Sequence, residues 1–186
     1  MLRERPGMSI LDLAGATQST ISFVTNLGHR IYSDDLLRQV DRCFGPAGTS
    51  AEELYERQTD PHLVQEFLDS ALNFDDNSFD GALVWDTLQY LTPPLLNTVV
   101  DRLHRMLRPG SVLFALFYAE HHSATASACS YRIGDQRTIL MVPREERRPA
   151  QRFNNRNLEV LFQQFASVKF FLTRDHLREL IVRRAL

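Results

Sequence analysis

Two short stretches of this chain carry side chains suited to holding a nucleoside. The first is Asp12-Leu13-Ala14-Gly15-Ala16-Thr17, a run of small residues after a short apolar segment. Residues with little or no side chain let backbone come close to a ligand. The second is Asp34-Asp35, about twenty residues beyond Asp12, a spacing found in nucleotide-binding α/β units. A carboxylate there offers two acceptor oxygens to a vicinal diol, such as the hydroxyls of a ribose. Both stretches also have a structural reading. Small residues suit any tight strand-to-helix connection, and either aspartate can cap a helix beginning at Leu36. Taken together, the two stretches favour an adenosine-type ligand.

Groups able to take a proton lie further along. His121 and His122 follow a long apolar run at residues 111–118, and imidazole changes charge near neutral pH. A solvated loop accounts for such a pair equally well. Tyr90, Tyr118 and Glu120 are the other polar candidates in this part of the chain. No Ser-His-Asp elbow, phosphate loop or zinc-ligand spacing is present. Cys43 and Cys129 lie far apart without a C-x-x-C partner, which argues against a metal site or disulfide and for a reducing, cytoplasmic compartment.

The elements that must position these groups follow from periodicity. Residues 9–13 read as a strand, and a helix with Ile21, Val24 and Leu27 on one side ends near Gly28. Residues 29–33 read as a second strand. Helical patterns then carry Leu36, Val40 and Phe44, residues 51–57, and Val64, Phe67, Leu68 and Ala71 after an Asp60-Pro61 start. Residues 81–85 form a short apolar strand, followed by helical spacing up to Arg108-Pro109-Gly110 and a longer strand at 111–118. Strand, helix, strand is the crossover unit of a parallel sheet. Residues 130–133 and 138–142 flank a polar turn, as in a hairpin. The mixed-charge stretch 144–149 reads as a solvated loop, 155–165 as an amphipathic helix, and 168–182 as two strands about a turn.

Bulk properties bound the function. The chain has 186 residues, a net charge of −2 and 44% hydrophobic residues, which suits one globular domain and argues against a nucleic-acid or anionic-membrane partner. Residues 1–7 read as neither a signal peptide nor a membrane span.

Residues 74–118, FDDNSFDGALVWDTLQYLTPPLLNTVVDRLHRMLRPGSVLFALFY, resemble the middle of the class I S-adenosylmethionine-dependent methyltransferases, in particular the methyltransferase type 11-like family. There a "PDNSFD" turn, a strand, a "D-x-L-x-x-L" helix start and an "L-R-P-G-G" turn before the next strand recur in this order. The bend after Asp12 stands where the family has "D-L-G-x-G-x-G", with Ala14, Ala16 and Gln18 replacing glycines. The resemblance implies a Rossmann-like α/β fold, a doubly wound, mostly parallel sheet closed by a C-terminal antiparallel hairpin. No segment between 36 and 73 matches the family's third strand.

The same resemblance implies S-adenosylmethionine as cofactor and S-adenosylhomocysteine as product. Asp12, Ala14, Gly15, Ala16 and Thr17 would then surround the methionine moiety, and Asp35, with Asp34 beside it, would hold the ribose. Leu72 and Asn73 would approach the adenine, while Trp85 and Asp86 would face the methionine end and the acceptor. The expected protein is a single methyltransferase-like domain over 1–186, with a hairpin-containing insert at residues 120–150 walling the acceptor. It would transfer a methyl group to a small molecule by in-line displacement, without a metal, with His121, His122 or Tyr90 as base. No helical pattern matches the family's N-terminal cover, so the site is either open or completed by a second subunit in a homodimer. Two rivals remain. One is a methyltransferase-like binding or interaction module without catalysis; the other is an NAD-dependent oxidoreductase, disfavoured because G-x-G-x-x-G is missing.

Overall fold

A computed structural model describes residues 5–118, 126–173 and 177–186, with the side chain of Ala126 left aside. Its centre is a six-stranded sheet of β1 (Ser9–Asp12), β2 (Arg30–Ser33), β3 (Phe79–Trp85), β4 (Leu107–Tyr118), β7 (Ser167–Leu172) and β8 (Leu177–Arg183), in the order β2-β1-β3-β4-β8-β7. The first four run parallel, β8 is antiparallel to β4, and β7 is antiparallel to β8. A separate hairpin joins β5 (Ala126–Ile133) to β6 (Ile139–Arg147). This is the α/β architecture expected, with β2 as an edge and no third parallel strand outside it among the described residues.

Alternation along the strands sends side chains to two faces. Leu11, Leu13, Ala82, Val84, Leu113, Ala115 and Phe117 join one large core with helices α2 (Leu36–Phe44), α4 (Pro61–Ala71), α5 (Pro93–Met106) and α6 (Asn155–Leu161). On the opposite face Ile10 and Leu83 meet Val24 and Phe23 of α1 (Gln18–Asn26). The hairpin completes that second cover through Cys129, Tyr131 and Ile133, which pack on Ala14, Trp85 and Leu116.

The helices begin where capping side chains permit. Asp60 Oδ1 accepts from the backbone N–H groups of His62 and Leu63, 2.8 and 3.1 Å away, with Pro61 first in α4. Ser50 caps the short α3 (Ala51–Arg57), and Asn154 and Asn157 form a reciprocal cap on α6.

Several boundaries depart from the pattern reading. The Arg108-Pro109-Gly110 turn lies inside β4, because Phe79 pairs with Leu107 and Gly81 with Val112, so the intervening residues bulge. Arg108 anchors the bulge to Asp80 at 2.6 Å. The segment after Asp86 is a 3₁₀ turn, Thr87–Tyr90, and Asp86 makes no side-chain cap to it. Residues 144–147, expected as a solvated loop, belong to β6. Arg147 is only 6% exposed there, because Asp41 of α2 and Glu145 accept from its guanidinium.

Candidate cofactor and substrate site

The bend after β1 is held against the end of β2 by backbone. Asp34 donates its N–H to the carbonyl of Asp12 and Gly15 donates to the carbonyl of Asp34, both at 2.9 Å, while Leu36 donates to Leu13 at 3.0 Å. Ala16 donates to Ser33 Oγ at 2.6 Å, and Ala14 bridges to Asp35. Gly15 has φ +74°, a conformation that penalises a side chain. A Cβ built there would lie 3.5 Å from Asp35, an ordinary contact, so backbone geometry and not lack of room selects the glycine.

Bend and aspartates share an open cavity of about 750 Å³ lined by Gly15, Ala16, Asp34, Asp35, Arg38 and Arg42, with Ser33 and Gln39. The two carboxylates differ in what they hold. Asp35 Oδ1 caps α2 by accepting from the Arg38 N–H at 3.2 Å, and Oδ2 accepts from Arg144 of β6 at 2.6 Å. Asp34 Oδ1 accepts from the Asp35 N–H at 2.7 Å and from Gln39 at 3.5 Å. Its Oδ2 has no hydrogen bond among the described residues. The sequence favoured Asp35 for a diol; the structure commits Asp35 to a cap and an ion pair and leaves Asp34 with the available oxygen.

Asp12 is buried beneath the bend. Its Oδ1 accepts from the Ala14 N–H and its Oδ2 from the Trp85 indole, both at 3.0 Å. Burial pushes its pKa up, although those hydrogen bonds act against the rise. Trp85 ends β3 with φ +56°, a rare value for a bulky residue. Its ring stacks on Tyr131 of the hairpin at 4.5 Å and 6°. The hairpin is tied down beside it, since Ile133 donates its N–H to Thr20 Oγ1 at 3.1 Å.

Asp86, next along the chain, is 0% exposed. Its Oδ2 accepts from the Tyr90 hydroxyl at 3.4 Å and from the Cys129 N–H at 3.3 Å, while Oδ1 is buried without a hydrogen-bond partner among the described residues. Desolvation raises its pKa from 3.8 to about 6, against the opposing pull of nearby hydroxyl and amide donors. Tyr90 and Tyr131 are driven upward in turn by burial and by this carboxylate. A carboxyl poised near neutrality at the carboxyl end of a sheet strand is suited to exchanging a proton.

A second cavity, of about 430 Å³, lies across α2 and is lined by Tyr55, Gln58, Gln89, Tyr90, Tyr118 and Phe153 among others. The cap Asp35 and, within α2, Arg38, Gln39 and Arg42 face the first cavity and Val40 the second, as 100° per residue requires. Arg147 crosses the Tyr90 ring at 5.9 Å while reaching Asp41.

Of the residues singled out from sequence, Gly15, Ala16, Asp34 and Asp35 meet at one cavity and Tyr90 lines the other. Asp12, Ala14, Trp85 and Asp86 lie close behind, with side chains buried in packing. Thr17 caps α1 by accepting from the Thr20 N–H. Leu72 and Asn73, expected near an adenine, line neither of these two cavities. Leu72 is a core residue at the end of α4, and α4 runs into the amino end of β3, away from the bend. His121 and His122 lie outside the described residues.

Sequence reasoning missed Arg38, Gln39 and Arg42, although their i, i+3, i+4, i+7 relation to Asp35 marks one helix face. It also missed Tyr131, Arg144 and Arg147, which no local signal connects to the site.

A mostly parallel sheet with a small-residue bend and a carboxylate at the carboxyl ends of adjacent strands defines a nucleoside-binding α/β protein. The family model described as "Methyltransferase domain" matches residues 11–115, more than half of the chain. The chain therefore belongs to the S-adenosylmethionine-dependent methyltransferase family, whose cofactor is S-adenosylmethionine. No curated protein matches the sequence.

Solved structures share the fold at low identity. An N1-methyltransferase from Burkholderia thailandensis, with 1,6-didemethyltoxoflavin and S-adenosylhomocysteine bound, is 16% identical with TM-score 0.52, the match covering 97% of this chain and 72% of that one. A Methanosarcina mazei S-adenosylmethionine-dependent methyltransferase is 16% identical with TM-score 0.53, covering 99% and 95%. A Pyrococcus horikoshii protein is 15% identical with TM-score 0.56, covering 97% and 83%. Among the described residues no helix is long and apolar enough to cross a membrane.

Proposed function

We infer that this chain methylates a small-molecule acceptor, using S-adenosylmethionine held between the bend and the Asp34-Asp35 pair. The observation that carries the reading is the open cavity in which Gly15, Ala16 and Asp34 come together at the carboxyl ends of β1 and β2. The residues there fit an adenosyl group, since Asp34 has a carboxylate oxygen to spare and Gly15 brings bare backbone to the surface. Bound there, the cofactor supplies an electrophilic methyl group on a sulfonium. Asp34 would accept from the ribose hydroxyls, and Arg38 and Arg42 would border the same space.

Holding the acceptor in contact with the methyl group supplies most of the acceleration, so few side chains need react. Where the acceptor must lose a proton, Tyr90 lines the second cavity and its hydroxyl donates to Asp86, so the phenol would take that proton only as it passes its own to the Asp86 carboxylate. The small-molecule character of the acceptor draws on the size of that cavity and on the ligand of the Burkholderia enzyme. The hairpin acts as an insert within one methyltransferase unit, and the free thiols of Cys43 and Cys129 suit a reducing cytoplasm. Calorimetric titration with S-adenosylmethionine and S-adenosylhomocysteine tests the reading. Saturable binding of both is expected; binding of neither would leave a non-catalytic module.

A further inference from the structure

The second cavity has a lining with one sign of charge and one kind of hydrogen-bonding group left over. Its charged residues among those described are Arg147, which is paired with Asp41 and Glu145, and Arg148 and Arg152; no carboxylate lines it among the described residues. Three buried donors among its residues have no hydrogen-bond partner among the described residues: Gln58 Nε2, Gln89 Nε2 and Arg147 Nε. The amide orientations are fixed from the other side. Gln58 Oε1 accepts from the N–H and hydroxyl of Thr92, each at 2.8 Å, and Gln89 Oε1 accepts from the Tyr118 N–H at 3.1 Å. Turning either amide over would set a donor against a donor. The leftover groups are therefore N–H groups by necessity.

A buried donor without an acceptor is unfavourable, so three among the residues of one cavity favour a ligand that accepts from them. The remaining wall is flat and apolar. Tyr55, Tyr90, Tyr118 and Phe153 supply rings, and Val40, Leu54 and Pro93 fill between them. Ring faces select a planar body, excess N–H groups select acceptor oxygens, and Arg148 and Arg152, which make no ion pair among the described residues, select negative charge.

We propose that this cavity binds a small planar anion of the aromatic carboxylate class. Its ring lies among the tyrosines, and its carboxylate accepts from the Gln58 and Gln89 amides on the arginine side. The binding site stands by itself; its role as the methyl acceptor's site rests on the methyltransferase reading above. Under that reading Tyr90 is shared between the bound ring and Asp86.

The test is calorimetric titration of the full chain with salicylate and 3-hydroxy-2-naphthoate, against phenol and 2-naphthol, which lack the carboxylate. S-adenosylmethionine is titrated separately. The carboxylates are expected to bind saturably and roughly tenfold or more tighter than their neutral counterparts, as loss of charge-assisted hydrogen bonds implies. Gln58→Glu keeps the oxygen that Thr92 needs and puts a second oxygen where the free N–H₂ stands, so it should erase the preference. The wild-type comparison decides the matter even if that variant unfolds. Equal binding of acid and phenol, or no binding of either acid, overturns the proposal. Carboxylate binding without S-adenosylmethionine binding would keep the site and remove the methyltransferase reading.

Discussion

Helix α2 has a cavity on each side, and the two are built by different means. The first is bordered by consecutive residues at the ends of β1 and β2, and backbone hydrogen bonds between Gly15, Asp34 and Leu36 set its shape. The second draws its walls from α2, α3, the 3₁₀ turn, β4 and the segment after β6. No two of its leftover donors are close in sequence. A backbone-built site keeps its form while side chains change, as Ala14, Ala16 and Gln18 illustrate in place of glycines. A side-chain site is specified anew by each sequence. This division suits an enzyme whose cofactor is common to a family and whose acceptor is its own.

The hardest blow to the comparison is one that loosens α2, the helix that both cavities share. Phe44 of α2 is fully buried and packs on Phe67 at 5.3 Å. Phe44→Ala is expected to cost about 3–5 kcal/mol in chemical denaturation and to weaken both ligands together. Loss of one ligand alone would show that α2 does not organise both sides.

Asp86, buried behind Tyr90 of the second cavity, differs in that its burial has a pH signature. Its folded-state pKa of about 6 lies above the ordinary value of 3.8. Stability from this group is therefore fully present below 3.8 and is lost as pH rises toward 6. The difference is worth about 3 kcal/mol. Asp86→Asn should raise the thermal midpoint at pH 8 more than at pH 4, and should reduce proton-dependent turnover. Equal gains at both pH values would mean that Asp86 is not held protonated by burial.

The twin aspartates sharpen the contrast inside the first cavity. Asp34→Ala should weaken S-adenosylmethionine by about 2 kcal/mol in titration, as expected for a charged acceptor, with little change in unfolding. Asp35→Ala should instead lower stability by about 1 kcal/mol through loss of the α2 cap, with a smaller effect on affinity. The reverse result would restore Asp35 as the ribose ligand. The smallest effect is expected at Arg144, whose bond to Asp35 is partly exposed. Arg144→Gln should change stability by no more than about 1 kcal/mol. A larger loss in denaturation would make this ion pair a principal clasp of the hairpin.

Much of this arrangement was legible because it is local. Asp60-Pro61, the small-residue bend and the spacing of Leu36, Val40 and Phe44 each act within a turn or two of chain, and each element formed where expected. The 74–118 block placed the chain in its family for the same reason, since its turns, strand and helix are consecutive. Leu72 and Asn73 were less legible, because this chain extends α4 to Ala71 and buries Leu72 in the core at its end. The charged run at 144–147 looked solvated because its partner, Asp41, is 106 residues from Arg147.

The sequence by itself determined the strands, the capped helices, the bend and the presence of two carboxylates beyond β2. Only the tertiary structure decided which carboxylate stayed available, where the hairpin docked and which amide nitrogens were left without acceptors. Caps and periodicity are satisfied by neighbours along the chain, so their outcome is written locally. A buried amide or carboxylate is satisfied or orphaned by whatever packing brings to it from distant segments, and that is settled only when the sheet, helices and hairpin close on one another.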